Sequence, residues 1–87
     1  MIHIESAKYL DGYCIQLKFN TDEIGIVDLT ELINRYPIAQ QLKDKALFSQ
    51  FYLDEWPSLA WPCGFDVSPE TLYEMATGKT VSWLKQA

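Results

Sequence analysis

The chain has 87 residues, a net charge of −5 and hydrophobic residues at 48% of its positions. This length predicts a single domain, and the hydrophobic content excludes a disordered chain and predicts a packed core. The seven basic residues are scattered rather than clustered, which disfavours direct nucleic-acid binding. The net negative charge suits a basic protein partner better. The alternative is that the acidity serves solubility alone.

The N-terminal third of the chain predicts an antiparallel meander of three strands. Asp11-Gly12 predicts a tight two-residue hairpin turn that pairs residues 2–10 with residues 13–20. A second turn at residues 20–23 leads to a third strand over residues 24–27. Apolar side chains alternate along the first two strands at Ile2, Ile4, Tyr13, Ile15, Leu17 and Phe19.

The segment after the third strand predicts helix only in short pieces. Asp28 is expected to cap the first piece through its side chain. Tyr36-Pro37 ends that piece, because proline disfavours helical geometry in the residue before it, and Pro37 can itself open a further turn. Asp44 is expected to start one more turn. Two short strands follow, around residues 51–54 and 59–61.

The start of the last helix is the clearest local signal in the chain. The Ser68 side chain can accept hydrogen bonds from the first free helical amides, and Pro69 suits the first helical position. Glu70 places a negative charge beside the positive end of the helix dipole. Val67 and Leu72 occupy the two positions of a hydrophobic staple, and a Thr-Gly pair is expected to end the helix.

The order of these elements, βββ-α-ββ-α, predicts the α+β class, with one antiparallel sheet of about five short strands and the helices on one face. We expect residues 1–78 to form this domain. Residues 79–87 are expected to be a tail that returns as an edge strand, remains mobile or contacts another chain.

Catalytic and metal-binding patterns are weak. The single histidine, His3, lies on a predicted strand. Cys14 and Cys63 show neither Cys-x-x-Cys spacing nor a metal-binding pattern. We therefore expect no cofactor, no metal and no enzymatic activity. The alternative is a small-molecule-binding or hydrolytic site, because two close carboxylates can act as acid and base. Its candidate carboxylates are Asp54, Glu55, Asp66 and Glu70.

The aromatic residues divide into core and contact candidates. Trp61 and Tyr73 are expected in the core, next to the last helix. Trp56 and Trp83 lie at segment edges, where a small domain has little room to bury an indole, so we expect them to contact a protein partner or a second copy. The alternative for Trp83 is packing against its own sheet. The sequence carries no signal peptide and no membrane span, so we expect a cytoplasmic protein.

A set of residues along the chain resembles the domain of unknown function family 2442, a family of small bacterial domains. The weaker part of the resemblance is Phe19, Val27-Asp28-Leu29, Leu42 and Phe48. The specific part is Trp61, Pro62, Gly64, Asp66, Ser68, Pro69, Glu70, Leu72 and Tyr73. These residues are expected to form a structural motif rather than a reaction centre.

The resemblance implies a compact α+β domain without an assigned activity, sometimes joined to a helix-turn-helix segment. It also implies a possible antitoxin or regulatory role, since stand-alone members are often encoded beside a small toxin-like protein. The chain departs from the family pattern at residues 20–23, which replace an Asp-Gly turn, and at Cys63, which replaces an asparagine. It also ends without room for a helix-turn-helix, so we do not expect the DNA binding that such a segment would carry.

Overall fold

The structure is a computed structural model that describes residues 1–78. Within them, the chain forms six strands, three α-helices and one 3-10 helix. The elements are β1 (Ile4–Tyr9), β2 (Cys14–Phe19), β3 (Ile24–Asp28), α1 (Thr30–Arg35), the 3-10 helix (Pro37–Lys43), α2 (Lys45–Phe48), β4 (Tyr52–Leu53), β5 (Leu59–Ala60), β6 (Asp66–Val67) and α3 (Pro69–Thr77). The expected tail, residues 79–87, lies outside the described residues.

The first three strands form the expected antiparallel meander, in the order β1-β2-β3. The prediction of a two-residue turn between β1 and β2 is wrong, because Tyr9 pairs with Ile15 and a longer loop joins them. Within that loop only Gly12 has a positive φ, of +55°, and the Tyr9 hydroxyl donates to the Gly12 carbonyl at 3.0 Å. The Cys14 amide closes the turn by donating to the Asp11 carbonyl at 2.9 Å.

The prediction of one five-stranded sheet is also wrong. Strands β4, β5 and β6 form a second three-stranded antiparallel sheet. The extra strand, β6, arises because Gly64, at φ +99°, lets the chain reverse after Trp61. In this turn the Gly64 amide donates to the Trp61 carbonyl, and the Trp61 amide donates to the Phe65 carbonyl. A strand of two residues is too short for alternating hydrophobicity to reveal it.

Polar side chains accept from an early amide of each α-helix, but the N-cap of α1 is Leu29 rather than the expected Asp28. The Asp28 carboxylate accepts from the Thr30 amide at 2.9 Å at the start of α1, and the Asp44 side chain accepts from the Ala46 amide at the start of α2. Ser68 is the N-cap of α3, and its hydroxyl accepts from the Thr71 amide at 3.3 Å. Gly78 ends α3 in the left-handed conformation, with φ of +74°.

Both sheets and the helices contribute to one hydrophobic core. Trp61 is 1% exposed, and its indole N–H donates to the Phe48 carbonyl at 2.7 Å. α3 packs on β3 so closely that a Cβ added to Gly25 would lie 2.7 Å from the Ala76 Cβ. None of the helices in residues 1–78 would span a bilayer, since each is too short or too polar.

Candidate functional site

An open groove lies between α1, the start of the 3-10 helix and the chain that leads into α3. Its volume is about 340 Å³. We call it the α1–α3 groove. Its lining residues are Leu32, Tyr36, Ile38, Gly64, Phe65, Asp66, Val67, Ser68 and Thr71.

Two backbone features give the groove its shape. Tyr36 is extended, with φ −106° and ψ 125°, because Pro37 follows it, and this ends α1 and turns the chain into the 3-10 helix. On the other side, Gly64 has φ of +99°, and a Cβ added there would lie 3.4 Å from the Ile38 Cδ1. The positive φ therefore favours glycine in this turn, whereas a Cβ there would make an ordinary contact with Ile38.

The apolar end of the groove contains large side chains that remain accessible. Tyr36 is 43% exposed and Ile38 is 50% exposed, whereas Phe65 is buried beneath them. The Tyr36 and Phe65 rings lie 6.0 Å apart between centroids and are tilted by 40°. Accessible apolar side chains at a concave surface are typical of a binding site rather than of an ordinary surface.

The polar side of the groove is formed by Asp66, Ser68 and Thr71. The Ser68 hydroxyl donates to the Thr71 hydroxyl at 2.9 Å in addition to accepting from the Thr71 amide. Pro69 has no N–H to offer, so the start of α3 is occupied by its own cap and is not arranged to receive an anion. The Asp66 carboxylate beside it further disfavours an anionic ligand.

A second depression, of about 250 Å³, shares Leu32 and Thr71 with the groove and extends it along α1. We call it the acidic end. Its remaining lining residues are Asp28, Glu31, Arg35 and Met75. Glu31 and Arg35 form an ion pair across one turn of α1.

The acidic end holds a carboxylate that stays charged. Hydrogen bonds from the Thr30 side chain, and then from its backbone amide, lower the pKa of Asp28, against a smaller opposing effect of desolvation. The Thr30 hydroxyl donates to the Asp28 carboxylate at 2.6 Å. Together, the groove and its acidic end are lined by three carboxylates, Asp28, Glu31 and Asp66, and by one cation, Arg35.

The groove is lined by one of the four carboxylates that the sequence suggested as an acid–base pair. Asp66 lines the groove, but Asp54, Glu55 and Glu70 do not. The Asp54 carboxylate accepts from the Trp56 and Ser58 amides, at 2.9 Å each, and thereby shapes the turn between β4 and β5. Within residues 1–78, no group of three or more His, Cys, Asp or Glu side chains could hold a metal ion.

The predicted contact residues lie away from the groove or outside the described chain. Trp56 is 74% exposed in the turn between β4 and β5 and does not line the groove. Trp83 lies outside the described residues. Of the motif residues, Gly64, Asp66 and Ser68 line the groove, whereas Trp61, Leu72 and Tyr73 are buried in the core.

Sequence reasoning missed Leu32, Tyr36 and Ile38 as functional candidates. A signal was present, because Tyr36-Pro37 interrupts the helical pattern and leaves apolar residues on both sides of the break. That signal alone does not reveal that Phe65 and Asp66, almost thirty positions further along the chain, complete the groove.

The sequence profile of the family described as "Protein of unknown function (DUF2442)" matches residues 4–78. The chain belongs to this family. The match includes the whole DUF2442 motif from Trp61 to Tyr73 and both sides of the α1–α3 groove. Among curated proteins, no relative matches the chain.

Among solved structures, the "Putative DNA Binding Protein NE0471" from Nitrosomonas europaea ATCC 19718 resembles this DUF2442 domain, with a TM-score of 0.78 and 20% sequence identity. The similarity covers 90% of this chain and 50% of that protein, so the chain spans about half of its length. At this level of identity, the likeness concerns the fold alone.

Proposed function

We propose that this DUF2442 domain is a small non-enzymatic protein-interaction or regulatory module. The observation that carries the proposal is the open α1–α3 groove, which combines accessible apolar side chains with a carboxylate-rich lining. The net charge of −5 favours a basic partner. We infer more specifically that the partner is a small, basic, toxin-like protein, toward which this chain acts as an antitoxin.

An alternative is a small-molecule-binding or hydrolytic domain. The volume of the groove, about 340 Å³, lies at the lower end of the range for small-molecule sites, which begins at about 300 Å³. Against hydrolysis, Asp66 is the one carboxylate of the four original candidates that lines the groove. The paired carboxylates that this mechanism would need are therefore not all in the groove, which favours the interaction role over hydrolysis.

The proposal does not include direct DNA binding. The name of the Nitrosomonas europaea protein refers to DNA, but this chain spans about half of that protein. Among residues 1–78, the Lys18 ammonium lies 3.9 Å from the Glu5 carboxylate, and Arg35 is paired with Glu31. These two basic side chains therefore face carboxylates rather than forming a phosphate-binding surface. We expect no change in the fluorescence anisotropy of duplex DNA on adding the protein, even at low salt.

We also place the proposed activity in a bacterial cytoplasm. Cys14 and Cys63 are both free thiols, which suits a reducing compartment.

Co-expression with the product of the neighbouring gene tests the antitoxin role. We expect a complex that copurifies at low salt and weakens at high salt, together with rescue of growth when the neighbouring protein alone is toxic. Ile38→Ala in the groove should reduce both the complex and the rescue, whereas Ile26→Ala on the exposed face of β3 should not. Absence of both complex and rescue with the unmodified chain would rule out the antitoxin role.

A further inference from the structure

We propose that the α1–α3 groove binds a segment of a partner protein that places one large apolar side chain against Tyr36, Ile38 and Phe65 and one lysine or arginine at the acidic end. This inference rests on the proposed interaction role and adds the chemistry of the bound segment. It assigns both recognition elements to one continuous surface, because the two depressions share Leu32 and Thr71.

The apolar requirement follows from the accessible side chains in the groove. Tyr36 and Ile38 are each about half exposed, while the buried Phe65 lies beneath them. A leucine, methionine or aromatic side chain inserted here would remove apolar surface from water on both partners. An entirely polar segment would leave this surface without a favourable contact.

The cationic requirement follows from the charges at the other end. Asp28 and Glu31 line the acidic end, and Arg35 is already held by Glu31. Arg35 is the one cation among the residues that line this depression, so no second cation there balances the Asp28 carboxylate. A lysine or arginine from a partner would therefore meet an excess of negative charge, and an acidic side chain would be repelled.

The shared lining residues set the spacing of the two elements. Leu32 and Thr71 line both depressions, so the apolar and the cationic side chains of the partner must lie close together. Side chains at i and i+4 on one face of a helix, or at i and i+2 of an extended chain, are neighbours of this kind. A basic amphipathic segment satisfies the spacing.

Three matched synthetic peptides test the inference. Each has about 15 residues, long enough for helix formation. The first carries leucines at helical spacing with lysines between them, the second replaces the lysines with glutamates, and the third replaces the leucines with serines. Backbone amide chemical shifts of the full chain are followed by NMR during titration with each peptide.

We expect only the leucine–lysine peptide to bind, with shifts at Leu32, Ile38, Phe65, Asp66 and Thr71. Ile38→Ala should weaken this binding about five- to tenfold. The matched control is Ile26→Ala, which removes a similarly exposed isoleucine from β3 outside the groove. It should leave the affinity unchanged, and thermal unfolding of both variants checks that each is folded.

A second pair of variants isolates the charge. Asp28→Asn keeps an oxygen that can accept from Thr30 but removes the negative charge, and it should weaken the leucine–lysine peptide about two- to fivefold. The control is Asp22→Asn in the turn between β2 and β3, where asparagine tolerates the observed φ of +71°. This control should bind as tightly as the unmodified chain.

Several outcomes would overturn the inference: no binding of any peptide, equal binding of the glutamate peptide, shifts confined to the exposed face of β3, or equal effects of Ile38→Ala and Ile26→Ala. These outcomes are distinguishable from failure of the proposed function. A stable complex with the neighbouring gene product that is insensitive to Ile38→Ala and Asp28→Asn would retain the interaction role and reject the groove as its site.

Discussion

Trp61 packs between aromatic side chains from two other parts of the chain. The centroid of its ring system lies 5.6 Å from that of Phe48, which ends α2, and 5.5 Å from that of Phe65 in the following turn. Its indole N–H donates to the buried Phe48 carbonyl. The side chain therefore supplies both apolar contact and a hydrogen bond that orients α2 against the second sheet.

Trp61→Phe should lower the free energy of unfolding by about 1–3 kcal/mol, because it leaves the Phe48 carbonyl without this donor, and the smaller ring adds the cost of a cavity. Trp56→Phe is the matched control. Because Trp56 is largely exposed, that change should stay within about 0.5 kcal/mol. Urea denaturation measures both, and equal effects would contradict the assigned role of Trp61.

At the scale of elements, the contact between β3 and α3 depends on a missing side chain. A Cβ added to Gly25 would lie 2.7 Å from the Ala76 Cβ and 2.9 Å from the Ala76 carbonyl oxygen. The carbonyl belongs to the helix backbone, so it cannot move aside without moving α3. Neighbouring Ile24 and Ile26 point to the other face of the strand and are exposed.

Gly25→Ala should therefore destabilise the protein by about 1–3 kcal/mol, despite the usual gain from replacing glycine in a strand. The control is Gly25→Ala in a chain that also carries Ala76→Gly. This second change removes the Ala76 Cβ and so one of the two close contacts. There the cost of Gly25→Ala, measured by urea denaturation, should be smaller. Equal costs in both backgrounds would show that the contact with the Ala76 side chain is not responsible.

The start of α1 makes stability depend on pH through Asp28. Its pKa is lowered in the folded state, so between that value and the ordinary pKa of about 3.9 the unfolded chain binds more protons. The contribution of Asp28 is therefore complete above about pH 3.9 and is lost as the pH falls through the folded-state pKa. Solvent screening keeps the effect small, because Asp28 is exposed.

Comparison with Asp28→Asn isolates this dependence. At neutral pH the unmodified chain should have the larger free energy of unfolding. This advantage over the variant should shrink in acid, as Asp28 becomes protonated. Chemical denaturation at a series of pH values measures this difference. Parallel pH profiles for the two proteins would contradict the assigned linkage.

At the scale of the whole molecule, one core joins the two small sheets. Buried residues of β1, β2 and β3 belong to the same hydrophobic cluster as Leu59 of β5, Val67 of β6 and Leu72 of α3. The strands of the second sheet have two residues each, which is too little to be stable alone. Its stability must come from this shared core.

We therefore expect the two sheets to unfold together. Tryptophan fluorescence of a variant with Trp56→Phe and Trp83→Phe, which leaves Trp61 as the one tryptophan, should follow the same urea transition as far-UV circular dichroism. An earlier fluorescence transition would mean that the second sheet unfolds separately and would contradict a single cooperative unit.

The features that the sequence predicted correctly depend on short-range physics. The Ser68-Pro69 start of α3, the Asp44 cap of α2 and the three-stranded meander are each specified by residues within a few positions of one another. The same holds for family membership, since the motif from Trp61 to Tyr73 is contiguous. Cap chemistry acts between near neighbours, so it is readable without coordinates, whereas the length of the turn between β1 and β2 was not.

Tertiary structure alone decided the division into two sheets and the existence of the groove. β6 depends on the reversal at Gly64 and on pairing with β5, and the groove brings Tyr36 and Ile38 beside Phe65 and Asp66. The groove contacts join segments far apart in the chain, whereas β5 and β6 are close in sequence but too short to show a strand pattern. The free energy of both features comes from packing that no local pattern encodes. The sequence by itself therefore determined where the main helices and strands begin, while folding determined which exposed side chains share a binding surface.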